Sequence, residues 1–223
     1  MLTHRVIPCL LLSQGGLVKT IKFKDPKYVG DPINAVRIFN EKEVDELMIL
    51  DIRASKEGRG PDFQLIGQLA TECFMPLCYG GGIRNFDDCK TLFSLGVEKV
   101  CLQTAIFKNC AVIREIADQY GEQAVVVSID VTKDFFGRTV LYSHSKVYSG
   151  FNDWRLALEA AVAAGAGEVL LNAVYRDGTQ KGLDLKLIKE ASEAVGVPLI
   201  AIGGVGSLAD LKLATDAGAS AVA

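Results

Sequence analysis

Two carboxylates that close apolar runs are the residues of this 223-residue chain best placed to do chemistry. "MILD" ends on Asp51 and "VSID" ends on Asp130, each after a run that reads as a buried strand. A carboxylate there is costly to bury without a partner or a task, and an apolar setting suits it to general acid–base work. Asp130 is the candidate for that role, whereas Asp51 is either a ligand-facing group or the cap of its own loop. Two glycine-rich turns add a second chemistry. "CYGGGIRN" carries Gly80, Gly81 and Gly82, and "AIGGVGS" carries Gly203, Gly204 and Gly206, each directly after an apolar run. Glycines there let backbone N–H groups approach an anion, with a helix N-terminus behind them. Two such turns suit a substrate with a phosphate at each end, although tight turns need glycine in any case. Gln103 and Thr104, and Asp177 and Gly178 in "YRDGTQKG", also fall at run ends. Lys19, in "GGLVKTIKF", either reaches over the site or is solvated. The six cysteines include no C-x-x-C pair, and Cys9, Cys78 and Cys101, in or at the ends of apolar runs, read as buried thiols, so neither a metal nor a cofactor is expected. Trp154 and His144 read as packing and loop residues.

The elements that position these groups alternate. Strand-like runs at 5–11, 46–51, 75–79, 99–102, 124–129, 168–171, 198–202 and from 219 onward are separated by amphipathic, helix-length segments such as "NFDDCKTLFSLG". That alternation predicts an α/β fold with a parallel sheet. Eight such runs fit a (β/α)8 TIM barrel, with an open doubly wound sheet as the alternative. The chain also repeats itself. "GGIRNFDDCKTLFSLGVEKV" overlays "GGVGSLADLKLATDAGASAV", so that Gly81 falls on Gly203 and Gly96 on Gly218. One strand earlier, Leu11 falls on Asp130. One domain over 1–223 is expected, built as a two-fold repeat with half-barrels at about 1–120 and 121–223. In that register Ala223 matches Cys101, so the last βα unit is expected to be incomplete. In a barrel of this kind the site lies at the C-terminal strand ends, where the groups named above fall.

A net charge of −3 argues against a nucleic-acid partner. No apolar run approaches the roughly 18 residues of a membrane span, and "MLTHRVIPC" lacks a leader's pattern, so the compartment expected is the cytoplasm.

The strings "RVIPCLLL", "GGLVKTIKFKDPKYVGDPINAVRIFN", "PLCYGGGIR", "VVVSIDV" and "PLIAIGGVGS" resemble the cyclase subunit of imidazole glycerol phosphate synthase, the HisF family, over essentially the whole chain. The resemblance implies a two-fold-repeated barrel that takes ammonia from a partner glutaminase (a glutamine amidotransferase) and acts on a phosphorylated small molecule in histidine biosynthesis, a lyase-type synthase reaction. It implies phosphate sites at Gly82, Gln103 and Thr104 on one side and at Asp177, Gly178 and Gly203 on the other. It implies two catalytic residues, Lys19 as the family's loop lysine and Asp130 as one of its two catalytic aspartates. The second aspartate falls on Leu11, which cannot carry a proton. Tyr175 and Gln103 also depart from the family's residues. The same strings are similar to a divergent branch of the family associated with amidation or acetamidino modification of surface glycans. Arg5, Glu46, Lys99 and Glu168 open four of the runs. They are expected to meet in a ring of opposite charges at the barrel's base, either an ion network that holds the fold or, as the resemblance implies, a gate for ammonia. Three functions follow: an ammonia-using synthase in glycan modification, the histidine-pathway cyclase, or a non-catalytic barrel that docks and activates a glutaminase.

Overall fold

The computed structural model describes residues 4–142, 151 and 153–223. In chain order the elements are β1 (Arg5–Val6), β2 (Cys9–Ser13), β3 (Gly16–Ile21), β4 (Lys24–Gly30), α1 (Pro32–Glu41), β5 (Leu47–Asp51), α2 (Phe63–Glu72), β6 (Leu77–Gly80), α3 (Phe86–Ser94), β7 (Lys99–Leu102), α4 (Thr104–Lys108), α5 (Ala111–Tyr120), β8 (Val125–Lys133), β9 (Thr139–Leu141), α6 (Trp154–Ala164), β10 (Glu168–Ala173), α7 (Leu185–Ala194), β11 (Leu199–Ile202), α8 (Leu208–Asp216) and β12 (Ala221–Val222). His144 lies outside the described residues, and Trp154 is fully buried as a packing residue.

Parallel ladders run from β2 through β5, β6, β7, β8, β10 and β11 to β12, and β12 returns to β1 with Ala221 opposite Arg5. β1 and β2 are one stave broken at Pro8, which has no N–H to give. The ladder changes partner there: Ile7 N donates to Val222 O at 2.9 Å, and Met48 N donates to Pro8 O at 3.0 Å. The sheet is therefore closed, with eight parallel staves and helices outside, the (β/α)8 arrangement.

Period-two alternation sorts the side chains. Ile7, Met48, Cys78, Cys101, Val126, Leu170, Ile200 and Ala221, one from each stave, fill the barrel interior as their own cluster. The outward set, including Leu47, Ile49, Val100, Val127, Val169 and Leu199, packs beneath Val36, Ile66, Leu92, Ile113, Leu158 and Ile188 of the helices. Helices restart at Asp31, Asp62, Asn85, Asp153 and Asp184, whose side chains accept from first-turn N–H groups. The two glycine turns match in backbone as well as sequence. Gly81 and Gly203 have φ of 114° and 101°, and Gly82 and Gly204 of 75° and 110°. A Cβ on Gly81 would run into Asp51 O, and one on Gly203 into Ala173 O. Each turn thus needs glycine to pass beneath the end of a neighbouring stave.

Two features correct the sequence reading. The first loop is an antiparallel hairpin, β3 with β4, continuing from β2, and β9 folds back on β8. β4 is exposed along nearly all its length, Tyr28 and Val29 included, so it offers no alternation of buried and exposed positions for periodicity to report. The fifth stave also runs on to Lys133, beyond the expected end at 129.

Candidate functional site

At the N-terminal end of the staves the four predicted charges close a ring. Arg5 Nη1 donates to Glu46 Oε2 at 2.8 Å and Arg5 Nη2 to Glu168 Oε2 at 3.0 Å. Lys99 Nζ donates to Glu46 Oε2 at 2.7 Å and to Glu168 Oε1 at 2.9 Å. Glu46 is 2% exposed. Burial works against both cations, but the bonds and charges of the two carboxylates outweigh it and hold Arg5 and Lys99 above their ordinary pKa values. Above the ring comes the apolar interior layer.

At the opposite end a cavity of about 490 Å³ opens at the mouth. Leu11, Asp51, Gly82, Gln103, Thr104, Asp130 and Asp177 all line it, together with Ser128, Asn172 and the cations Arg53, Lys56 and Lys108. Lys19, Gly178 and Gly203 do not. A second cavity, about 570 Å³, lies outside the barrel between the β8–β9 hairpin and α6 and α7. Its charges are of both signs, and it contains none of the predicted site residues.

Asp130 is 7% exposed at the floor of the mouth. Ser128 Oγ donates to its Oδ1 at 2.9 Å and Gln103 Nε2 to its Oδ2 at 2.7 Å. Burial pushes its carboxyl up to about 7, and the charge of Asp177 adds to this, while the hydrogen bonds of Ser128 and Asn172 oppose it. A group so placed exists in both proton states near neutrality. Across the mouth Leu11 and Leu50 are paired on adjacent staves, and the acid of this wall, Asp51, is engaged in its own loop.

The remaining predicted residues carry visible structural duties. Asp51 Oδ1 accepts from Arg53 N and Ala54 N, each at 2.9 Å, so it caps its own loop while facing the cavity. Gly82 N donates to Ser55 Oγ at 3.1 Å. Thr104 opens α4 beside the Gln103 side chain. Asp177 Oδ2 accepts from Thr20 Oγ1 at 2.9 Å and Phe23 N at 3.2 Å, and Asp177 O accepts from Lys22 N at 3.0 Å. Gly178 lies so close to Thr20 O that a Cβ would not fit. These two residues stitch the β3–β4 hairpin across the mouth. Lys19 sits exposed on β3 opposite Lys27. Tyr175 donates its hydroxyl to Asp184, with Lys133 Nζ 5.1 Å from its ring.

A family model described as "Histidine biosynthesis protein" matches residues 5–223. A protein of Pseudomonas aeruginosa, provisionally named imidazole glycerol phosphate synthase subunit hisF2, is 53% identical over 95% of this chain and 84% of its own length. The chain belongs to the HisF family of histidine biosynthesis proteins. Another HisF-family relative, from Leptospira interrogans and also provisionally named, is 49% identical over the same shares. Imidazole glycerol phosphate synthase subunit HisF of Exiguobacterium sibiricum is 40% identical over 99% of this chain and 88% of its own length. The chain is thus a synthase/cyclase-type member with the family's TIM barrel. Among the described residues of this HisF-family barrel no helix is long and apolar enough to cross a membrane, and no cluster of three or more His, Cys, Asp or Glu is arranged to hold a metal.

Five cavity-lining residues escaped the sequence. Ser128 lies two positions before Asp130 and hence on the same face of β8, a relation that "VSID" does contain. Asn172 closes the apolar run "VLLN" as Asp51 closes "MILD", a signal of the same kind. The rim cations Arg53, Lys56 and Lys108 have no comparable signature, because charged loop residues are ordinarily solvated.

Proposed function

We propose that this HisF-family chain uses ammonia, released by a docked glutamine amidotransferase, to aminate a phosphorylated or nucleotide-linked sugar-type substrate, and that its role is surface-glycan amidation. The observation that carries the reading is Leu11 across the mouth from Asp130: Asp130 stands buried and hydrogen-bonded, Leu11 supplies no partner acid, and the other two acids of the lining, Asp51 and Asp177, are engaged by Arg53 N and Ala54 N and by Thr20 Oγ1 and Phe23 N. Ammonia enters through the ring of Arg5, Glu46, Lys99 and Glu168 and crosses the apolar layer. Its nitrogen bonds to an electrophilic carbon of the substrate while the surplus proton passes to Asp130. The displaced oxygen leaves with that proton, which returns Asp130 to its charged form. One carboxyl serves as base and then as acid, which a value near 7 permits. Arg53, Lys56 and Lys108 face the substrate's phosphate beside Gly82, Gln103 and Thr104, and Asp177 stands on the other side of the mouth, while Gly178, Gly203 and Lys19 lie outside its lining. The family name favours a second reading, the histidine-pathway cyclase, and Leu11 speaks against it.

Complementation of a histidine auxotroph lacking the cyclase separates the two. The unmodified chain is expected to fail, and growth equal to that given by an authentic cyclase would overturn the glycan role. Leu11→Asp is expected to recover part of the roughly 10²- to 10⁴-fold that general acid–base assistance contributes, with thermal unfolding measured beside it. Product formation with glutamine that Asp130→Asn abolishes, with folding and partner binding kept, would exclude the third reading, a non-catalytic barrel that only docks and activates its partner.

A further inference from the structure

Among the described residues two buried side-chain polar atoms receive no hydrogen bond, Glu46 Oε1 and Asn172 Oδ1. Both are acceptors, and they stand at opposite ends of the barrel interior. Glu46 belongs to the basal ring. Asn172 lines the mouth cavity and is 6% exposed. The setting of Asn172 explains its orphaned atom. On one flanking stave its partner is Asp130 and on the other Ile202. The amide N–H group favours the Asp130 carboxylate, which turns the carbonyl oxygen away from it, and Ile202 has no donor to offer. Nor do Leu11 and Leu50, the apolar residues of the facing wall. Leaving a buried carbonyl oxygen without a donor is costly, and at the edge of a cavity an arriving donor relieves that cost.

We infer that Asn172 is a specificity-determining residue: with Asp130 beside it, its Oδ1 binds a nitrogen that carries two or more N–H bonds, either ammonia emerging from the barrel interior or the amino or amidine end of a substrate entering from the mouth. Two neighbouring acceptors on adjacent staves match such a nitrogen, which donates to both at once. They reject a carbonyl or ether oxygen, which has no hydrogen to give. The position of the other orphan acceptor, Glu46 Oε1, is consistent with the interior route, since the apolar layer between the two offers no strong acceptor of its own. Only the ammonia source rests on the proposed function; the preference for an N–H donor does not.

The test reads binding without turnover, so a failed amination assay leaves it standing. The ¹⁵N-labelled chain is titrated at pH 8 with ammonium chloride, acetamidinium chloride and tetramethylammonium chloride at matched ionic strength. The Asn172 side-chain amide signals, assigned by their loss in Asn172→Ser, are followed. A saturable shift is expected with at least one N–H carrier and none with tetramethylammonium. Ammonium alone assigns the ligand to ammonia; acetamidinium, alone or with ammonium, assigns it to the end group of a substrate. Asn172→Leu, read at the Gln103 side-chain amide, is expected to weaken binding tenfold or more. Equal responses to all three salts, or binding undiminished in Asn172→Leu, would overturn the inference. The comparison of salts on the unmodified chain decides the matter even if that variant does not fold.

Discussion

Asp130 is a residue the fold prefers protonated. Its carboxyl stands at about 7 in the folded chain against an ordinary value of 3.8. Between those pH values the folded state holds more protons than the unfolded one, so stability falls as pH rises through that window and is already lost above it. Asp130→Asn carries no charge at any pH. It is expected to be more stable than the parent at pH 8, by a few kcal/mol at most, with the advantage shrinking toward pH 5 and gone near pH 4. Denaturant unfolding at several pH values measures this, and parallel stability curves for the two proteins would show that the carboxylate is solvated after all. The burial of an acid at Asp130 was legible from "VSID" because an acid closing an apolar strand is anomalous in itself. The arrangement around it was not. Nothing in the spelling of "LQTA" says that the Gln103 side chain turns to Asp130 rather than to a ligand, because that choice depends on a stave 27 residues away.

The β3–β4 hairpin shows what element-scale patterns leave out. Its turn residues Lys22 and Phe23 have φ of 53° and 61°, a left-handed pair that in hairpins ordinarily calls for Asn-Gly. Without that signature, and with β4 facing water, the segment had no period and no turn signal to read. Its geometry is held from outside, by Asp177 accepting from Thr20 and Phe23. Asp177→Ala is therefore expected to release the hairpin rather than the barrel. Hydrogen exchange at Phe23 should quicken tenfold or more, the worth of about one hydrogen bond to a charged group, while Val126 in the barrel interior keeps its protection. Unchanged exchange at Phe23 would mean that the ladder with β2 suffices to hold the turn. The glycine turns, by contrast, were readable, since Gly81 and Gly203 answer a clash that recurs wherever a βα loop passes under a neighbouring stave.

At the scale of the whole molecule the barrel separates two polar ends by an apolar layer, and the basal ring is where stability and passage are hardest to tell apart. Removing one cation leaves buried carboxylates with less compensation, which ordinarily costs about 3–5 kcal/mol. Lys99→Met should show such a loss, because Glu46 and Glu168 are then shared by Arg5 alone. Adding Glu46→Gln to it should restore part of the stability, since the double variant has no unmatched charge. Passage predicts a different pattern. In a complex with the glutaminase, Lys99→Met should leave glutamine hydrolysis running and lower the share of its ammonia that reaches product, while activity with ammonium chloride supplied from the mouth persists. The double variant sharpens the comparison: it regains stability without regaining the ring, so a gate stays faulty in it and a mere ion network does not. Equal losses with glutamine and with ammonium chloride, both recovered in the double variant, would assign Arg5, Glu46, Lys99 and Glu168 to holding the barrel closed.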